Sequence, residues 1–130
     1  MNVVIDTSAL IAVIVAEPER DRIIELVMEK NLIGPGSIEW EIGNAFSAML
    51  KKRHLGLDDA IMGIKVFNQV KIHYIESDLI RVMELCDKNN IYAYDAYFLD
   101  CAIRFKAPLL SLDRKLKSIA KDLQITVLEV

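Results

Sequence analysis

Four carboxylates, Asp6, Glu41, Asp95 and Asp113, have the type and spacing for chemistry. Each stands where a strand or helix end would deliver it to one end of an α/β sheet. Asp6 closes the apolar run Val3-Val4-Ile5 and opens Thr7-Ser8-Ala9-Leu10. Asp113 closes Leu109-Leu110-Ser111-Leu112 and opens Arg114-Lys115-Leu116, so the first and last acids repeat one arrangement. Carboxylates that converge repel one another, and the ordinary resolutions are proton uptake or a hard cation with oxygen ligands, Mg²⁺ or Mn²⁺. One or two such ions can orient a water, lower its pKa and neutralise charge building on a phosphodiester during in-line attack.

Taken singly, each acid has a plainer reading. Asp6, Asp95 and Asp113 read at least as well as N-caps of the helices that follow them. Glu41 is harder to dismiss, because it lies inside an apolar helical stretch beside Trp40 and Ile42, where an unpartnered carboxylate is costly to bury. Asp100, five residues beyond Asp95, is turned roughly 140° around the same helix and is expected to face elsewhere or to stand in an outer layer. Asp58 and Asp59 mark a helix start.

Other chemistries lack their parts. Cys86 and Cys101 sit in helical apolar patterns with no second thiol at Cys-x-x-Cys spacing, which reads as buried reduced thiols in a cytoplasmic protein. His54 and His73 fall in unrelated segments, so neither a zinc site nor a Ser-His-Asp triad can be assembled. The uncharged apolar stretch Thr7 to Ala16 falls short of the ~20 residues of a membrane span, and no basic segment precedes it as in a secretory signal. A net charge of −3 argues against coating nucleic acid by bulk electrostatics. Local basic groups exist in Lys51-Lys52-Arg53-His54 and in Arg104, Lys106, Arg114, Lys115, Lys117 and Lys121. The first run reads better as a complement to a helix C-terminus, whereas phosphate contact and a solvated surface are equally good readings of the second.

The elements that must position these acids alternate strand with helix. At 130 residues and 53% hydrophobic, the chain fits one domain over 1–130 with ample material for a core. Strands are predicted at Asn2 to Asp6, Leu32-Ile33, Ile72 to Ile75, Leu109 to Leu112 and Ile125 to Leu128. Helices are predicted at Ser8 to Ala16, from Pro18 to Lys30, and from a Ser37 cap to Arg53. A further helix starts at Leu57-Asp58-Asp59 and pairs with the preceding one as a hairpin; the last three run from Ser77 to Lys88, from Ala93 to Lys106 and onward from Arg114. Trp40, Met49, Met62 and Phe67 read mostly as core. The fold class is therefore α/β: three layers, with a central, mostly parallel twisted sheet flanked by helices.

Over its whole length the sequence resembles the PIN domain family, in particular its VapC-like toxin ribonucleases. The carriers are Val3-Val4-Ile5-Asp6-Thr7-Ser8-Ala9-Leu10, Glu41-Ile42-Gly43-Asn44-Ala45, Tyr94-Asp95-Ala96-Tyr97-Phe98-Leu99 and Pro108-Leu109-Leu110-Ser111-Leu112-Asp113-Arg114-Lys115-Leu116. Singly these motifs are weak; four in order in a chain of this length are fairly specific. The resemblance implies that Asp6, Glu41, Asp95 and Asp113 form an acidic metal pocket, with Ser8, Asn44 and Ser111 as polar supports. Ser111 stands where many relatives have threonine, and Asp100 occupies a position more often apolar or small. The resemblance further implies an endoribonuclease using Mg²⁺ or Mn²⁺ and leaving a 5′-phosphate and a 3′-hydroxyl. It also implies an RNA substrate, a homodimer, and a VapB-like antitoxin that holds the toxin inactive.

Two other readings stand beside this one. A phosphatase of the haloacid dehalogenase type also begins with an aspartate after a strand, but Ser8 occupies the place of its second aspartate and no lysine motif follows. A catalytically silent module is the alternative from another class, with the helix hairpin from Ile42 to Val70 serving protein or RNA contact. Tyr92, Tyr94 and Tyr97 are candidates for stacking on bases, although Tyr97 serves equally well in helix packing.

Overall fold

The computed structural model describes residues 1–130. β1 (Asn2–Ile5) leads into α1 (Thr7–Ile14) and α2 (Arg20–Val27), then β2 (Asn31–Pro35), α3 (Ser37–Lys51), α4 (Leu57–Gln69) and β3 (Ile72–Ile75). α5 (Leu79–Asn89), α6 (Ala93–Phe105), β4 (Leu109–Leu110) and α7 (Arg114–Asp122) complete the order. The sheet runs β3-β2-β1-β4, and every ladder is parallel. Parallel strands are buried on both faces, which is why Val3, Val4, Leu109 and Leu110 are wholly inaccessible and form a continuous apolar run rather than an alternating one.

Crossover handedness then places the helices. The connections β1 to β2 and β2 to β3 step one way across the sheet, while β3 to β4 steps back over it, so right-handed crossovers put α5 and α6 on the face opposite α1 to α4. The packing agrees: α6 lies against β1, β2 and β4 with α5 beside it, and α1 gathers α2, α3 and α4. The direction of winding reverses between β1 and β4, and the crevice outside the carboxyl ends of strands at such a reversal is where open α/β sheets bind ligands.

A core of 26 buried apolar residues joins both layers, with Ile23, Ile38, Ile42 and Leu116 among its largest inaccessible side chains. Gly63 lets α4 approach closely: a Cβ there would stand 2.6 Å from the ring of Phe46 and 3.3 Å from Ile14.

Several expected boundaries moved. α2 begins at Arg20, after a turn that includes Pro18, and stops at Val27. Ser37 does not cap α3; it is the first helical residue, after Gly36, and its hydroxyl is used elsewhere. α5 begins at Leu79 because Asp78 accepts from the N–H groups of Ile80 and Arg81. The last predicted strand contracts to a single parallel bridge between Val127 and Leu109. Phe67 is core and Met49 packs against it, but Trp40 (70% exposed) and Met62 (59%) lie on the surface. Trp40 sits two residues from both Ile38 and Ile42, about 200° around the helix, and so points away from their buried face. No helix is long and apolar enough to cross a membrane.

Candidate metal centre at the acidic cleft

Asp6 directly follows β1, and Asp113 follows β4 by three residues. The two strands pair directly, Ile5 beside Leu110. Two serines join these neighbouring ends. Ser8 Oγ donates to Asp6 Oδ1 at 2.7 Å and accepts from the Leu112 N–H at 3.0 Å. Ser111 Oγ donates to Asp6 Oδ2 at 2.5 Å and accepts from the Asp113 N–H at 2.9 Å. Each hydroxyl has one proton, and both protons are committed to Asp6, so the 3.5 Å approach of the two serine oxygens is no strong bond. Asp6 Oδ1 also accepts from the Ala9 N–H at 3.0 Å, and Asp113 Oδ1 from the Leu116 N–H at 3.1 Å. The plainer reading therefore holds: Asp6 caps α1 and Asp113 caps α7.

Glu41 comes from the second turn of α3. Ser37, one turn earlier and buried, donates its hydroxyl to Glu41 Oε2 at 2.8 Å. The Thr7 hydroxyl is buried with no hydrogen-bond partner, yet lies close enough to Glu41 to favour its charged form. Asp95 lies in the first turn of α6 but does not cap it; Tyr92 holds the cap position without a side-chain bond.

The electrostatics link the four acids in a closed circuit. Burial, offset by the bonds from Ser111, Ser8 and Ala9, raises the Asp6 carboxyl above its usual range, and the charge of Asp113 adds to the rise. Glu41 is raised first by burial, against the hydroxyls of Ser37 and Thr7, and then by Asp6 and Asp95. Asp95 is raised by burial and by Asp113, with Lys115 opposing. The fold thus brings each of the four within electrostatic reach of two others: Asp6 with Asp113 and Glu41, and Asp95 with Glu41 and Asp113. No three of them are placed closely enough to hold a metal ion as they stand.

The donor chemistry nonetheless suits a hard cation. All the groups present are oxygens, three of the carboxyls resist ionisation, and a buried hydroxyl beside Glu41 is left without a partner. Asn44 is less involved: it is exposed, one turn beyond Glu41, and its backbone carbonyl accepts from Ser47. Ser37 and Thr7 were missed from sequence. The four-residue spacing from Ser37 to Glu41, one helical turn, was the available signal.

Asp100 does face elsewhere. It is 2% exposed and paired with Arg81 of α5 at 3.0 Å and with Arg104 of α6 at 3.5 Å. Cys101 is free and buried, its thiol pushed up to about 12 by burial and by the Asp100 charge, which leaves it protonated and inert at neutral pH. Cys86 is half-buried and free. Lys51, Lys52, Arg53 and His54 are all exposed, at and just beyond the end of α3.

The PIN domain family model matches residues 3–122. Among solved structures, PAE2754 from Pyrobaculum aerophilum is similar with a TM-score of 0.67 and 23% identity, over 91% of this chain and 78% of that one. VapBC2 from Rickettsia felis, bound to a DNA fragment from their promoter, is similar with a TM-score of 0.68 and 19% identity, over 99% of this chain and 98% of that one. At these identities the likeness is one of fold. No curated protein matches the chain.

Proposed function

We propose, from the premise that this chain belongs to the PIN domain family, that it is a metal-dependent endoribonuclease and the toxin of a toxin-antitoxin pair. The observation that carries this reading is the closed circuit of four mutually repelling carboxylates at the winding reversal of a parallel sheet. Asp6, Glu41, Asp95 and Asp113 would hold Mg²⁺ or Mn²⁺. When bound, such an ion supplies an acidified water and positive charge toward a phosphodiester.

The chain's own residues have separable roles in this reading. Ser8 and Ser111 keep both Asp6 oxygens occupied as acceptors and so fix that carboxylate in one orientation. Ser37 does the same for one oxygen of Glu41. Lys115, exposed in the first turn of α7 and felt by Asp95, offers a cation where an RNA phosphate must approach an acidic cleft. The pairing with a VapB-like antitoxin and the homodimer follow from the family resemblance, and a toxin of this kind would act in the cytoplasm.

Incubation of the chain with single-stranded RNA and Mg²⁺ or Mn²⁺ tests the activity. Cleavage by the native chain that is lost in EDTA and falls at least about a hundredfold in Asp6→Asn is the expected result. Equal cutting by both proteins, or cutting that survives EDTA, rejects it. Co-expression with the product of a short upstream reading frame tests the pairing, which predicts a stable complex without cleavage.

A further inference from the structure

A cleft of about 390 Å³ opens beside the acids, lined by Gly36 and Ser37 after β2, Tyr74 and Ile75 of β3, Glu76, and Tyr97 of α6. Resting on the nuclease reading, we propose that this cleft is the subsite for one unstacked nucleobase of single-stranded RNA, adjacent to the phosphate brought to the acids. Three observations support the assignment.

Ser37 belongs to both places, since it lines the cleft and donates to Glu41 at 2.8 Å. A ligand in the cleft is therefore one side chain away from the acid cluster.

Two tyrosines from different elements stand in its walls. Tyr97 is braced edge-on by Tyr94, with ring centroids 6.1 Å apart and planes at 81°. Tyr74 is 46% exposed. Tyr97 is also packed against the core, which fixes it in place, and unstacked bases are the part of RNA that proteins stack on aromatic side chains.

The buried charge without a part in the acid cluster secures the cleft wall. Arg104 donates to the Glu76 carbonyl at 2.7 Å, so it ties down the segment leaving β3, and it also pairs with Asp100. Asp100 in turn bonds Arg81 at 3.0 Å. A fully buried carboxylate thus links α5, α6 and the lining segment, which presets the cleft before any ligand arrives.

The test measures binding apart from cleavage. The Asp6→Asn chain is titrated with a fluorescein-labelled single-stranded oligoribonucleotide, and with a set of oligomers abasic at one position each, following anisotropy. Tyr74→Ala, Tyr97→Leu and Tyr97→Phe are made in the same background, the last retaining the ring. Tyr74→Ala and Tyr97→Leu are expected to weaken the intact oligomer about tenfold, Tyr97→Phe to weaken it little, and one abasic oligomer to bind the parent and the Tyr74→Ala chain alike. Indifference to Tyr74→Ala, whose exposure keeps folding intact, or equal affinity for every abasic oligomer, overturns the subsite. Tyrosine changes that weaken capture of a protein partner and leave RNA untouched overturn it too. Base-dependent binding without cleavage by the native chain would keep the subsite and reject the nuclease. Cleavage by the native chain that is matched by its Tyr74→Ala and Tyr97→Leu variants would do the reverse.

Discussion

Ser111 Oγ lies 2.5 Å from Asp6 Oδ2 across 105 residues of sequence, inside a site where Ser111 is wholly inaccessible to solvent. The bond joins the ends of the two strands at the winding reversal and holds the most deeply buried of the four acids.

Ser111→Ala should therefore destabilise the chain. It removes one of three donors to Asp6 and leaves a buried carboxylate oxygen unsatisfied, a loss of about 1–3 kcal/mol. The Asp6 carboxyl should rise further, because the lost bond favoured its charged form. Urea denaturation at neutral pH checks the first expectation; a midpoint equal to that of the native chain contradicts it.

Stability should also report the crowding of charge. A carboxyl whose pKa is higher in the folded than in the unfolded chain binds more protons when folded between those two values, so stability declines as pH rises through that window. For Asp95 the window opens near 3.8 and closes at its raised value. The metal-free chain is expected to be less stable at pH 7 than these acids would allow at the acid end of the window. Asp95→Asn removes a charge disfavoured first by burial and then by Asp113 and should raise the neutral-pH melting temperature; about 1 M salt, which screens only the repulsion, should trim that gain without abolishing it. A drop in melting temperature for Asp95→Asn would contradict this.

Divalent cation should have the opposite effect to crowding. Mg²⁺ or Mn²⁺ binding only the folded state adds about 2.7 kcal/mol at a hundred times its dissociation constant. Calorimetric scans with and without Mn²⁺ should show that upward shift in the native chain and little of it in Asp6→Asn or Asp95→Asn. Affinity should weaken as pH falls, since protons compete for the same oxygens. A shift that survives in both variants places the ion elsewhere.

The Asp100 network should respond asymmetrically. Arg81→Met strips the buried Asp100 of its 3.0 Å bond and leaves only Arg104 at 3.5 Å, for an expected loss of about 3 kcal/mol or more. Asp100→Asn leaves two arginines that are 46% and 32% exposed and can turn to water, so its loss should be the smaller. Denaturation curves of the two variants side by side settle the order, and the reverse order refutes it.

The alternation of strand and helix was legible because each buried strand is a continuous apolar run bounded by turn residues, as in Val3-Val4-Ile5. Asp6 and Asp113 could be placed at strand ends for the same reason. Less legible was anything set by pairs distant in sequence. Nothing local says that Ser111 donates to Asp6, that Arg81 meets Asp100, or that Thr7 is buried beside Glu41. The strand expected at Ile125 to Leu128 was over-read, since an apolar segment at a sheet edge can pack with one bridge and no ladder. Trp40 and Met62 were misjudged because residue type outweighed helical position: both lie off the stripe that faces α1.

Because Asp6 and Asp113 each accept from the first turn of a helix, the fold and the proposed metal site share two carboxylates. An alanine scan would confuse them: Asp6→Ala or Asp113→Ala removes a helix cap together with a proposed metal ligand, so a loss of activity would report on neither alone. At Asp113 asparagine keeps the one acceptor oxygen that the helix start uses, so there chemistry can be separated from architecture; at Asp6 it keeps the oxygen for Ala9 and Ser8 but turns the partner of Ser111 into a donor, so its stability must be measured beside its activity.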